Sequence, residues 1–170
     1  MRASLLKFGP ANRTNVIWED LVDPRTVELT ANDNTIYNFI WLDTKKGPLV
    51  LEIPSQVLGG INDFWYRWVA DVGMTGEDRG RGGKYLVLAP GQEAPRDIGE
   101  CHVVQSPTNN IFHAFRVLVP DPKAAEALMA GYQAYPYAQR ENPRRTRIIA
   151  AGNRKWSGWP ENGMEFWRLL

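Results

Sequence analysis

Cysteine and histidine are scarce in this sequence, and neither sign of charge is in excess. Cys101 is the single cysteine, so no intramolecular disulfide can form, which leaves the redox compartment open. Lysine and arginine together number 20 and aspartate and glutamate 19, so no overall field attracts the chain to nucleic acid or to an anionic membrane. We therefore expect partners to be recognised locally.

Long apolar runs are also missing. No segment approaches the roughly 18 consecutive apolar residues of a membrane helix. Only the pair Leu5 and Leu6 precedes Lys7 at the start of the chain, which is too short for an export signal. With 170 residues, the chain suits one domain, with or without an appendage. We expect a soluble protein that is cytoplasmic by default and has no membrane partner.

The few histidines and the single cysteine also argue against a metal site or a catalytic triad. A zinc site would need nearly all of them, and neither an HExxH nor a CxxC motif is present. Cys101 and His102 point to opposite faces of a predicted strand, so they cannot pair there, and we expect the cysteine to be buried or half-buried. Ser106 and Ser157 lie outside any G-x-S-x-G elbow, and His113 is the other candidate base. The sequence predicts no metal and no cofactor.

Glycines cluster in residues 73–83, GMTGEDRGRGG, without forming a nucleotide-binding motif. A phosphate-binding loop would need a glycine where Asp78 stands and a serine or threonine where Tyr85 stands. The spacing also departs from the dinucleotide-binding fingerprint. We predict a flexible connection between strands that can act as a lid.

Aromatic residues are abundant, with 7 Trp, 6 Tyr and 6 Phe, and many lie in segments with the period-two alternation of β-strands. Residues 35–43 and 49–53 flank a turn and predict a hairpin, and residues 62–72 predict one long strand. One face of that strand would carry Phe64, Tyr66, Trp68 and Ala70, and the other Asp63, Trp65, Arg67 and Asp71. Further strands are predicted at 84–90, 101–105 and 110–119. This spacing predicts a mainly β fold, an antiparallel sandwich or barrel.

The pattern changes to helix after residue 120. Asp121 suits the N-cap and Pro122 the first position of a helix in KAAEALMAGY. Residues 140–155 predict an exposed basic connection with a short strand at 146–150, and residues 163–170 have helical composition. The run RENPRRTR has aromatic neighbours, as nucleic-acid contacts do, but the near-neutral chain favours a solvated connection or a docking surface. We expect a lead-in at 1–28, a β-sandwich at 29–120, and a helix, a basic connection and the interrupted start of a further helix at 121–170, with no nucleic-acid partner.

Polar side chains gather at the predicted heads of three strands. If these heads lie at one end of a sandwich, they surround aromatic walls and suit a neutral, oxygen-rich small molecule. The same residue types cap turns wherever strands begin, so a purely structural role stays open. The first head comprises Asn32, Asp33, Asn34 and Thr35, the second Asn62 and Asp63, the third Ser106, Pro107, Thr108 and Asn109, and the walls Tyr37, Trp65 and Trp68.

The segments LTANDNTIY, WLDTKKGPLVLEIP, INDFWYRWVADVG, GGKYLVLAPG and VVQSPTNNIFHAFRVLV follow one another in an order that resembles the domain-of-unknown-function 1254 family. The resemblance extends from Leu29 to Pro143. The family's Asn-x-Asp-Thr-hydrophobic-Tyr motif falls on residues 32–37, with Asn34 where an acid is usual. Its Ser-Pro-Thr motif falls on residues 106–108, and the arginine beyond it falls on Arg116.

The resemblance implies an immunoglobulin-like antiparallel β-sandwich, usually followed by helices and a second, jelly-roll domain of the 1214 family. Members are largely bacterial, many are exported, and their activity is not established. The chain would then be a truncated member without the second domain. Its last apolar residues would lack part of their cover, which predicts self-association into a homo-oligomer. These residues are Met164, Phe166, Trp167 and Leu170.

Three hypotheses for function follow. The first is a module without chemistry of its own that binds a small polar or carbohydrate-like molecule, or docks a partner such as a second β domain, through the strand heads and their aromatic neighbours. The second is a hydrolase in which Asp33 or Asp63 acts as acid or base and Arg67 or Arg116 stabilises negative charge. The third is a structural role in assembly.

Overall fold

Two β-sheets face each other in the structure, a computed structural model that describes residues 1–18, 26–27, 34–152, 154–159 and 162–169. The strands within these residues are β1 (Thr14–Ile17), β2 (Thr26–Val27), β3 (Ile36–Asp43), β4 (Leu49–Ile53), β5 (Val57–Asp63), β6 (Trp68–Gly73), β7 (Gly83–Leu88), β8 (Cys101–Gln105), β9 (Asn110–Val117), β10 (Gln133–Pro136), β11 (Arg147–Ala150) and β12 (Trp156–Ser157). The helices are α1 (Arg2–Leu6), α2 (Pro122–Ala130) and α3 (Met164–Leu169), with a 3-10 turn at Tyr137–Gln139.

The larger sheet has six strands in the order β11-β1-β3-β9-β5-β6, and the smaller has four in the order β10-β4-β7-β8. Most neighbouring strands are antiparallel, but β1 pairs with β11 and β7 pairs with β8 in parallel. A separate parallel pair joins β2 to β12. The prediction of a mainly β fold is confirmed at the level of two sheets and few helices.

Alternate residues of the strands supply the core between the two sheets. In β3 and β9 every second side chain points inward, and β4 and β7 do the same from the smaller sheet. Helix α2 adds Ala125 and Met129 to this core. Apolar burial, at roughly 25 cal/mol per Å², is the main force that holds the sheets together.

The outward face of β3 is covered as well. Phe39 and Trp41 pack there with Leu5 of α1 and with Trp18 and Trp156. The Trp18 ring lies edge to face 5.0 Å from Phe39 and 5.5 Å from Trp156. Because both faces of β3 are buried, its nearly continuous apolar run has a physical explanation.

Strands β3 and β4 belong to different sheets, so the predicted hairpin over residues 35–53 is wrong. Strand β3 pairs with β1 and β9, whereas β4 pairs with β7 and β10. The Thr44 amide donates to Asn109 O at 2.9 Å, and the Gly47 amide donates to Thr44 O at 3.0 Å. The turn therefore carries the chain from one sheet to the other.

The predicted long strand over residues 62–72 is also wrong. Strand β5 ends at Asp63, β6 begins at Trp68, and the two pair as an antiparallel hairpin. The Tyr66 amide donates to Asp63 O at 3.0 Å, and Tyr66 has a φ of 62°, in the left-handed region. The turn was hidden because aromatic residues fill positions where glycine or proline is usual. The two faces predicted for a single strand therefore do not exist.

The C-terminal third contains the predicted helix after residue 120, and it also contains β10 and β12, which were not predicted. Asp121 Oδ1 accepts a hydrogen bond from the Ala124 amide at 2.7 Å and caps α2, which begins at Pro122. Strand β11 and helix α3 form in the segments predicted to be strand and helix. None of the helices in the described residues has the length and apolar character needed to cross a membrane.

Candidate functional site

The polar strand heads lie at two opposite ends of the larger sheet. Strand β9 sets their separation, since Ile36 pairs with Val117 and Asp63 pairs with Ile111. At about 3.3 Å per residue, the steps from Ile111 to Val117 put the head of β3 roughly 20 Å from Asp63. The heads therefore do not converge within the described residues.

Arg116 lies at the end of the sheet where β3 begins, away from Asp63. It is directly opposite Tyr37, whose ring lies 5.5 Å from Phe39. Asn34 is exposed and Thr35 is half-buried at this end. The other two predicted site residues of this head, Asn32 and Asp33, lie outside the described residues. A distance of roughly 17 Å along β9 prevents Arg116 and Asp63 from reaching one substrate atom.

Asp63 organises the hairpin between β5 and β6. Its buried carboxylate accepts hydrogen bonds from the amides of Trp65 (2.8 Å) and Arg67 (3.0 Å) and from Arg67 Nε (2.7 Å), and Arg67 Nη2 lies 2.7 Å away. Burial raises the pKa of this carboxyl, but the bonds from Arg67 and Trp65 outweigh burial and lower the pKa below its usual 3.8. An ionised carboxylate with these partners orders the turn and is a poor proton donor.

Ser106 and Thr108 fasten the neighbouring turn to the same hairpin. Ser106 Oγ donates to Thr108 O at 2.8 Å and accepts from the Thr108 amide at 3.2 Å. Thr108 Oγ1 accepts from the Phe64 amide at 2.9 Å and donates to Asn110 O at 2.7 Å. Asn62 Nδ2 donates to Tyr66 O at 3.2 Å. These polar groups bond to the loop backbone, which accounts for their residue types.

Three large aromatic side chains around this hairpin are exposed. Trp65 is 59% exposed, Tyr66 47% and Trp68 68%. The half-buried Phe64 anchors the loop, since its ring lies edge to face 6.2 Å from Trp41 and 4.9 Å from Trp65. The hairpin thus presents aromatic surface to solvent in a fixed position.

A cleft of about 350 Å³ opens between β6 and β8, the edge strands of the two sheets. Trp68 forms part of its wall, and Trp68 Nε1 donates to Asp71 Oδ1 at 2.9 Å. From the β8 side, His102 Nδ1 lies 3.0 Å from Glu77 Oε2. Gln105 also lines the cleft. The cleft therefore combines an aromatic wall with carboxylate, imidazole and carboxamide groups.

The glycine-rich segment beside this cleft is tied down by Asp78, which is 2% exposed. Asp78 Oδ1 accepts from the Gly73 amide at 2.7 Å and the Tyr85 hydroxyl at 2.5 Å, and Oδ2 accepts from the Gly82 amide at 3.1 Å. Burial, with the bond to Asp78, raises the pKa of Tyr85 and keeps this hydroxyl protonated. Gly73 has a φ of 78°, and a Cβ there would lie 2.0 Å from Val57 O. Both ends of the predicted lid are therefore fixed.

A second groove, of about 760 Å³, lies over the outer face of the smaller sheet. Its charged and polar groups are partly paired, since Lys84 Nζ lies 3.0 Å and the Tyr135 hydroxyl 2.7 Å from Glu52 Oε1. Cys101 is half-buried here, as predicted, and burial raises the pKa of its thiol. A protonated thiol is a weak nucleophile, so this groove offers little chemistry.

His113 is buried in the core and cannot serve as a base for a bound substrate. Its Nδ1 lies 3.1 Å from Gly60 O, and because a carbonyl only accepts hydrogen bonds, Nδ1 carries the proton. Burial lowers the pKa of His113 to about 4. Among the residues that the structure describes, no three His, Cys, Asp or Glu side chains form a metal-binding group.

Most polar groups of the cleft were missed by the sequence analysis. Among the described residues of its lining, Trp68 alone was predicted as a site residue, whereas Asp71, Glu77, His102 and Gln105 were not. Strands β6 and β8 belong to different sheets, so no pairing pattern links them. One pattern in the sequence could have located His102: the alternation along β8 puts it on the same face as the inward-facing Val104.

Comparisons with known proteins give the family and support the fold. The family model described as "Protein of unknown function (DUF1254)" matches residues 13–136. The solved structure of the VPA0106 protein from Vibrio parahaemolyticus is similar, with a TM-score of 0.64 and 15% identity, over 87% of this chain and 36% of that one. The chain thus spans about a third of that protein, and no curated protein matches it. Because the family model covers most of its residues, the chain belongs to the DUF1254 family.

Proposed function

We propose that this chain binds a neutral, hydroxyl-rich molecule of the carbohydrate class in the cleft between β6 and β8, without chemistry of its own. The supporting observation is Trp68, which is 68% exposed at the cleft wall and is oriented by its bond to Asp71. An indole held in place in an open cleft offers a flat apolar face with a polar edge. Such a face packs well on the C–H side of a sugar ring.

The polar lining of the cleft complements the hydroxyl groups of such a ligand. Asp71 and Glu77 carry acceptor oxygens, Gln105 both donates and accepts, and His102 carries an imidazole. Among the described lining residues there is no lysine or arginine, which favours a neutral ligand over an anionic one. The volume of about 350 Å³ lies at the small end of the range typical of small-molecule sites, roughly 300–1,000 Å³.

Docking of a partner domain is a second candidate. Its support is the exposed pair Trp65 and Tyr66, which lies at the hairpin tip and outside the cleft lining. Exposed aromatic residues are typical anchors of protein interfaces. Self-association would use similar surface on α3, where Met164 is 68% and Trp167 66% exposed.

The hydrolase hypothesis has less support. Asp63 is ionised and already bonded, and it is separated from Arg116 by most of a strand. The immunoglobulin-like class of the sandwich also stays a prediction, supported by two mostly antiparallel sheets. A purely structural role accounts for the bonds of Asp71 and Glu77 but not for the exposed Trp68 at the cleft wall.

Titration with simple sugars tests the proposal directly. Glucose, galactose, mannose, N-acetylglucosamine and their disaccharides are added to the protein while heat and tryptophan fluorescence are recorded. We expect at least one sugar to bind, and Trp68→Ala to weaken that binding about tenfold or more, the equivalent of 1.4 kcal/mol. The matched control is Trp159→Ala, because Trp159 is 54% exposed and lies outside the cleft lining.

Two results would overturn the proposal. One is the absence of binding by any of these sugars at about 10 mM, well above the Kd of a weak site. The other is equal loss of binding in Trp68→Ala and Trp159→Ala. Loss of binding in Trp65→Ala alone would move the site to the hairpin tip.

A further inference from the structure

Three polar side chains point from the larger sheet into the core between the sheets. Asn15, Asn38 and His113 lie on β1, β3 and β9, and each is fully buried. Ile40 is the register partner of both Asn15 and His113, and Asn38 is two residues from Ile40 on the same face of β3. Asn38 is therefore a diagonal neighbour of both Asn15 and His113, with Cα atoms roughly 7–8 Å apart.

Tyr132, two residues beyond the end of α2, packs against the His113 side of this group. Its ring stacks on His113, with centroids 5.6 Å apart and planes at 29°, and lies 5.5 Å from Phe115. Tyr132 is fully buried as well. The four residues thus form a polar island in a core that is mostly apolar.

Six polar atoms of this island have no hydrogen-bond partner among the described protein atoms. They are the carboxamide nitrogen and oxygen of Asn15 and of Asn38, Nε2 of His113 and the hydroxyl of Tyr132. Native proteins pair nearly all buried polar groups, with protein atoms or with ordered water, because an unpaired group loses its hydration without compensation. These side chains therefore need partners that the polypeptide does not supply.

The island needs a partner that is neutral and that both donates and accepts. The two carboxamides and the hydroxyl carry donors, whereas the carboxamide oxygens and His113 Nε2 accept. Water meets this need, because one molecule can bridge two polar atoms about 5.6 Å apart by lying about 2.8 Å from each. We propose that Asn15, Asn38, His113 and Tyr132 form an internal hydration site that binds water between the two sheets.

Magnetisation transfer from water in ¹⁵N-labelled protein tests this site without any substitution. The Nδ2 protons of Asn15 and Asn38 should show cross-peaks at the water frequency. The sign of these cross-peaks should be that of water whose residence time exceeds the rotational tumbling time of the protein. The backbone amide of Ile40, which lies in the sheet between them, should show none. Absence of cross-peaks at both carboxamides would overturn the proposal.

A hydroxyl proton that exchanges with solvent gives the same frequency, so Tyr132→Phe is the control. Cross-peaks that persist in this variant come from bound water, as we expect. The Asn15 cross-peak decides, because Asn15 lies two strands away from His113, on which the Tyr132 ring stacks; its disappearance in Tyr132→Phe would make the hydroxyl the source and overturn the proposal.

A stability measurement gives an independent answer. Asn38→Leu removes the central carboxamide, so the waters that also bind Asn15 and His113 lose hydrogen bonds. The thermal midpoint should therefore fall by about 4 °C or more. Ile40→Leu is the matched control for side-chain shape at an adjacent inward position and should cost less. If Asn38→Leu raises the midpoint, the carboxamide had no partner, and the internal hydration site does not exist.

Discussion

His113 makes stability depend on pH at the scale of a single residue. Its pKa is about 4 in the folded protein against a usual 6.5, because burial disfavours the charged imidazole. As the pH falls below 6.5, His113 of the unfolded chain binds a proton, whereas His113 of the folded chain stays neutral until about pH 4. The free energy of unfolding therefore falls progressively between pH 6.5 and about pH 4. At 1.36 kcal/mol per pKa unit, the loss amounts to about 3 kcal/mol.

His113→Phe should abolish this part of the pH dependence while keeping a ring stacked on Tyr132. Urea unfolding of the protein and the variant is compared at several values between pH 7 and pH 4. We expect the free energy of unfolding to fall less steeply in the variant, by about 3 kcal/mol over this range. Ile40→Leu is the control, since Ile40 is buried in the same core and carries no titratable group, so the slope should stay unchanged. Equal slopes for His113→Phe and the unsubstituted protein would contradict this account.

At the scale of elements, one carboxylate sets the shape of the β5–β6 hairpin. Asp63→Asn keeps the side-chain shape but removes the charge that faces Arg67, and we expect it to destabilise the protein by about 2–4 kcal/mol in urea unfolding. Glu141→Gln is the control, because its ion pair with Arg140 is exposed and should contribute less than about 1 kcal/mol.

The same variant carries a pH signature. The pKa of Asp63 lies below 3.8 when folded, so the contribution of its charge is present above pH 3.8 and is lost only as the pH falls through the lowered value. The stability difference between the protein and Asp63→Asn should therefore stay constant from pH 7 to pH 5. A difference that already closes across this range would show that Asp63 is not held ionised by Arg67.

The segments that form strands were largely predictable, but their partners were not. The alternation in residues 101–105 and 110–119 is a local pattern, and it located β8 and β9 well. Whether β4 returns to β3 or crosses to the other sheet depends on contacts far apart in sequence, which a turn such as Lys45–Pro48 does not encode. In residues 62–72 aromatic β-formers occupy a turn that the buried Asp63 makes possible, so propensity there indicated the wrong structure.

At the scale of the whole molecule, the site illustrates the same limit. The polar strand heads were recognisable from the sequence, yet antiparallel pairing through β9 sends two of them to opposite ends. The cleft instead arises where β6 and β8, edges of different sheets, come close together. Trp68 was predicted because of its residue type, whereas Glu77 and His102 acquire their meaning only through three-dimensional proximity.

The parallel pairing of β1 with β11 has a mechanical consequence. These strands lie near the two ends of the described chain, and they run in the same direction with Thr14 opposite Arg147 and Ile17 opposite Ala150. A force that pulls the chain ends apart therefore slides the two strands along each other and loads all their hydrogen bonds together. Antiparallel strands pulled in the same way would open one bond at a time, so this sandwich should resist extension.

Single-molecule stretching can test this mechanical clamp with two neighbouring prolines. The Arg147 amide donates to Arg13 O, just before β1, and the Ala151 amide donates to Ile17 O, so the alternation of a strand directs the Ile149 amide to β1 and the Ile148 amide to the free edge. Ile149→Pro should lower the unfolding force markedly, whereas Ile148→Pro should lower it little. Equal effects would place the mechanical resistance elsewhere. If the clamp holds, the edge of the larger sheet is closed by strands from near the two ends of the described chain, and tension on the ends is shared among all the hydrogen bonds between β1 and β11 before any of them breaks.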